Sequence, residues 1–111
     1  MGNKTLYLYP HWFHKELYRN ISRDMITNFG NDIEYIFDSE HIEKLDVEDI
    51  VQRWNNIYDE YQPERVKFVL MGYSPAVTAC ALAALRTSIP VEFVYFEEKS
   101  RGDFREVQLS T

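Results

Sequence analysis

The chain has 111 residues, 45% of them hydrophobic and 15% aromatic, and a formal charge of −6. That length and apolar content suit one self-sufficient domain with a real core and exclude two. An acidic chain is a poor wrapper of long nucleic acid, which needs a basic surface, but a few backbone amides can still hold a small anion.

The single cysteine, Cys80, allows no intramolecular disulfide and gives no sign of an oxidising compartment. The opening "MGNKTLYLYP" lacks the apolar run of a signal peptide. Gly2 stands second, but the Ser or Thr of a myristoylation pattern is missing at position six. The longest apolar segment, around Ala76 to Leu85, is too short to span a bilayer. The expectation is a soluble cytoplasmic protein with no membrane partner.

In chain order, "KTLYLY" (Lys4 to Tyr9) predicts a first strand that stops at Pro10. From His11 to Phe29 the apolar positions Phe13, Leu17, Ile21, Met25 and Phe29 recur every four residues, as on one face of a helix. Gly30 and Asn31 then supply a helix stop. "DIEYIF" (Asp32 to Phe37) alternates and reads as a second strand. A polar link leads to Asp46, an N-cap for a second helix whose stripe is Val47, Ile50, Val51, Trp54, Ile57, Tyr58 and Tyr61.

Pro63 closes that helix. "RVKFVLMG" (Arg65 to Gly72) predicts a third strand, apolar enough at its end to be central in a sheet. Ser74 as N-cap and Pro75 at the first helical position open a third helix. "VEFVYFEE" and "DFREVQL", either side of Lys99 to Gly102, look like a terminal hairpin. Strands alternating with helices imply a Rossmann-like α/β layered domain with right-handed crossovers and a mostly parallel sheet. Its order would be 2-1-3-4, with the last strand as an antiparallel edge.

In that order the winding reverses between strands one and three, and open α/β sheets bind ligands outside the carboxyl ends of the strands at such a reversal. The residues there are "YPHWFH" and "MGYSP". Gly72 permits a tight turn and close backbone approach, Ser74 caps, and the first helical turn offers amides to an anion. Ordinary strand-to-helix turn chemistry accounts for the same residues. For His11 and His14, three residues apart, a metal pair lacks a third ligand. A donor to phosphate or a general acid–base competes with a structural alternative. In that alternative His14 packs beside Tyr18 and Ile21, and His11 caps the strand end. No carboxylate spacing suggests a metal, and no Walker, GxGxxG, GxSxG or Cys–His pattern is present. The third helix, "AVTACALAALRTS", is apolar nearly all round, which predicts burial on two sides and hence a homodimer.

The stretch "FVLMGYSPAVTACALAALRTSIPVEFVYFEE", together with the first strand's turn, resembles the end of a CRISPR-associated Rossmann-fold (CARF) domain and the related stand-alone ring nucleases. That resemblance implies a homodimer holding a cyclic oligoadenylate across its two-fold axis. Some such proteins cut the ring without metal, through attack of a ribose 2′-hydroxyl on the neighbouring phosphate. It implies Tyr9, His11, Gly72, Tyr73 and Ser74 at the ligand, and Lys99 or Arg101 of the hairpin as the basic contact. The functional expectation is therefore a cytoplasmic antiviral-defence protein that binds a small anionic nucleotide, with no cofactor. His11 is the catalytic candidate if it cleaves; the ligand-binding candidates are Tyr9, His14, Gly72, Tyr73, Ser74 and Arg101. The alternatives are a non-catalytic sensor or sponge, and a protein-interaction module docking through the third helix.

Overall fold

A computed structural model describes residues 4–12, 26–27, 30–38, 42, 44–101 and 103–109. The elements are β1 (Thr5–His11), β2 (Asp32–Phe37), α1 (Val47–Tyr61), β3 (Arg65–Val69), α2 (Ser74–Arg86), β4 (Val91–Ser100) and β5 (Asp103–Gln108). The strands form one sheet in the order β2-β1-β3-β4-β5. Its first four strands are parallel, and β5 is antiparallel to β4. This is the α/β, 2-1-3-4 arrangement with a C-terminal hairpin that the pattern of elements predicts.

The sheet buries both faces of its central strands. Leu6, Leu8, Val66 and Phe68 point to the side carrying α1 and α2, where they meet Ile50, Trp54, Ala79, Cys80, Ala83 and Ala84. The Trp54 and Phe68 rings lie 5.5 Å apart, and the Trp54 indole N–H donates to the Cys80 carbonyl at 3.1 Å. Tyr7, Tyr9, Val69 and Val94 face the other side, where Ile26 covers them. Crossovers of one hand leave the sheet on opposite faces when the winding direction changes, which is why Ile26, between β1 and β2, lies opposite the two helices.

Most of the first predicted helix lies outside the described residues, as does His14. Its start is corrected, because His11 ends β1. Its stop is present: Ile26 and Thr27 are helical, Gly30 N–H donates to Thr27 C=O, and Asn31 N–H donates to Ile26 C=O. With Gly30 at φ +78°, that is a Schellman termination. Ile26, buried, lies one position off the expected stripe.

The strand expected to stop at Pro10 runs through it. The β1–β3 ladder has already ended at Leu8↔Phe68, while the β1–β2 register continues through Tyr9↔Tyr35 and His11↔Phe37. Pro10 itself, with no N–H to give, has no partner in either register. At the other end of the sheet, β4 outruns β3. Val94 pairs with Val69, and the residues beyond it pair only with β5, making a two-stranded ribbon about 20 Å long. Such ribbons twist strongly. Glu106 of β5 accordingly reaches back over the sheet to the Tyr7 hydroxyl (2.5 Å) and Lys67 Nζ (2.5 Å). No helix among the described residues is long and apolar enough to cross a membrane.

Candidate functional site at the carboxyl edge

The order reverses between β1 and β3, so a crevice is expected where these two strands end. There His11 lies 93% buried between Trp12 and the loop that leads into α2. The Tyr73 backbone N–H donates to His11 Nε2 at 2.8 Å. Since a backbone amide can only donate, Nε2 is the unprotonated nitrogen, and the Nδ1–H donates to the Trp12 carbonyl at 3.0 Å. The imidazole therefore ties the end of β1 to the start of α2, which is the capping role of the structural alternative.

Gly72 is the other half of that contact. Its φ is +136°, and a Cβ there would stand 2.7 Å from His11 Nε2 and 3.2 Å from Pro10 Cγ. Glycine admits the histidine ring; a larger residue would meet it. Tyr73, not Ser74, is the N-cap of α2, and its side chain makes no capping bond. Ser74 is instead the first helical residue, and it is exposed. A helix beginning at Ser74 puts Pro75 at its second position, where no N–H is needed. With Tyr73 N–H given to His11, Val77 N–H given to Tyr73 C=O, and Ala76 fully buried, Ser74 carries the exposed first-turn amide. No acidic residue stands in that turn. The Tyr73 ring is 60% exposed beside it.

The other candidates fall elsewhere. Tyr9 is buried, its ring 5.8 Å from that of Tyr35, within the cluster under Ile26. It belongs to the packing and not to the crevice wall. Lys99 and Arg101 are exposed at the far end of the ribbon, beyond the carboxyl ends of the parallel strands. Trp12 was missed by sequence reasoning, because its contribution is a backbone carbonyl, which no side-chain pattern signals.

Away from this edge, Tyr7, Cys80 and Tyr61 are shifted above their ordinary titration ranges. Burial, and then the bond to Glu106, push the Tyr7 phenol well above its ordinary range. Burial pushes the Cys80 thiol up to about 12, so it is no nucleophile at neutral pH. The bond to Glu34, helped by burial, pushes Tyr61 up to about 12. Among the described residues no three His, Cys, Asp or Glu side chains converge on a point that would hold a metal ion. Comparison of the chain with family models, curated proteins and solved structures gives no match.

Proposed function

We propose that the protein binds a small nucleotide at the reversal between β1 and β3 and does so as a homodimer. The ligand class is the cyclic oligoadenylate that the resemblance to CARF domains implies. One observation carries the reading: the start of α2 is held at the carboxyl edge by His11, beside an exposed Tyr73 and with no acidic residue in its first turn. The amide of exposed Ser74, at the start of α2, is a donor for a phosphate. The Tyr73 ring is a stacking face for a base. On α2, Leu82 and Leu85 are 50% and 72% exposed, an apolar surface for a second copy.

Binding without turnover is favoured over cleavage by the state of His11. Its Nε2 already accepts a proton donor and its Nδ1–H is already given to a carbonyl. As an acid toward a leaving 5′-oxygen, His11 would first have to release Tyr73.

The test is a panel of cyclic and linear nucleotides screened by thermal shift and then by product analysis. Stabilisation by cyclic oligoadenylates without product is the expected result. Product formation abolished in His11→Gln would restore the ring-nuclease reading. Stabilisation by none of the panel would leave the interaction module as the better account.

A further inference from the structure

Away from the carboxyl edge, β2 closes one side of the sheet. Beside it runs an open groove of about 260 Å³, walled by residues 34–36 of β2, by Asp38 just after it, and by Arg53, Asn56 and Glu60 on α1. The two walls run together. Residues 34 to 38 extend for about 13 Å of strand, and Arg53 to Glu60 for about 10 Å of helix. A trough between an edge strand and a helix has the shape of a site for an added strand, which takes affinity from main-chain bonds and specificity from alternate side chains.

We propose that this groove takes an extended basic peptide segment of a partner protein, added to the edge of β2. Charge selects the occupant. Glu34, Asp38 and Glu60 line the groove, Glu34 already accepting from the Tyr61 hydroxyl and the Tyr35 N–H. The cation among its described residues, Arg53, is already given to Asp49 at 3.0 Å and lies 4.5 Å from the centre of the Phe37 ring. The same guanidinium donates to the Ile36 carbonyl at 3.4 Å, a long bond. A second copy of this chain fits badly. Antiparallel self-pairing about Tyr35 would oppose Asp32 with Asp38, and pairing about Glu34 would oppose Glu34 with itself. Like charges directly opposite destabilise a ladder. Lysine or arginine at alternate positions of an incoming strand would instead meet Glu34, Asp38 and Glu60.

The experiment is calorimetry and amide-shift mapping with a capped seven-residue peptide alternating lysine and valine. Two controls are the same peptide N-methylated at alternate residues and a glutamate–valine peptide. The expected result is saturable one-to-one binding of the lysine peptide, with shifts concentrated along residues 32–38. N-methylation should weaken it about tenfold or more, the loss of one or two hydrogen bonds. The double variant Asp38→Lys/Glu60→Lys, at two exposed positions, should bind the lysine peptide about tenfold more weakly and prefer the glutamate peptide. Should that variant fail to fold, the N-methylated control on the unaltered protein decides alone. Equal binding of the methylated peptide would mean general electrostatic attraction and overturn the proposal. So would no saturable binding up to about 1 mM. Shifts of β2 amides on dilution of the protein alone, without lysine-peptide binding, would assign the edge to a second copy and also overturn it.

Discussion

A methyl group on Gly72 would stand 2.7 Å from His11 Nε2, on a backbone at φ +136° that L residues rarely adopt. Gly72→Ala should therefore cost about 1–3 kcal/mol of stability, visible as a lower melting temperature; an unchanged melting point would mean the turn relaxes freely. Gly72→Val is for the same reason a stability variant first and no clean test of phosphate binding. His11→Ala strands the Tyr73 N–H and should cost a further about 1–3 kcal/mol by the same measurement, with His11→Gln recovering part of it. Tyr73→Ala is the clean probe. Its side chain is exposed, so melting should barely change while nucleotide affinity falls about tenfold or more, the worth of one stacked base. The residues of this site were legible as members of two loops at one sheet edge. The bond between His11 and Tyr73 was not, because it joins positions 62 apart in sequence and no periodicity encodes such a pair.

Elements were legible where pattern and punctuation agreed. β2 occupies Asp32–Phe37 as its alternation predicts, after a glycine stop and before a polar link. α1 begins after Asp46, whose carboxylate accepts from Glu48 N–H at 3.1 Å. They were misread where one residue type carries two meanings. Pro10 signalled a strand end, but β1 runs through it to His11. Ser74 signalled a cap, but the helix begins on it. α2 shows why composition alone cannot orient a helix. Its small residues Ala76, Ala79, Cys80, Ala83 and Ala84 are buried, while Leu82 and Leu85 are exposed. Close approach to α1, marked by the Trp54–Cys80 bond, leaves room inside only for small side chains. The β3–β4 pair adds an acid-sensitive element. Arg65 makes a bidentate pair with Glu92 at 2.6 and 2.8 Å and holds its carboxyl below the ordinary range. A depressed carboxylate stabilises the fold above its unfolded pKa and loses that contribution as pH falls through the folded value. Denaturation curves should accordingly lose stability between about pH 5 and pH 3, less steeply in Glu92→Gln than in the unaltered protein. Equal acid limbs would mean the pair contributes nothing.

At the scale of the molecule, two surfaces define the proposed assembly: the outward leucines of α2 and the carboxyl edge around Tyr73. Ala83, on the inward face of α2, is fully buried. Ala83→Glu should unfold the protein whether or not it dimerises. Leu82→Glu/Leu85→Glu should instead give a folded monomer by light scattering, with unchanged helix content. A wild-type chain already monomeric at micromolar concentration would remove the homodimer. Binding at the reversal and assembly through α2 meet in one quantity, the number of chains per ligand. That quantity is read by isothermal titration of the protein with cyclic oligoadenylates of increasing ring size, repeated on Tyr73→Ala. The expected result is saturable binding of one ring per two chains, weakened about tenfold or more in the variant. No heat from any ring, or binding untouched by loss of the Tyr73 side chain, would contradict nucleotide binding at this edge.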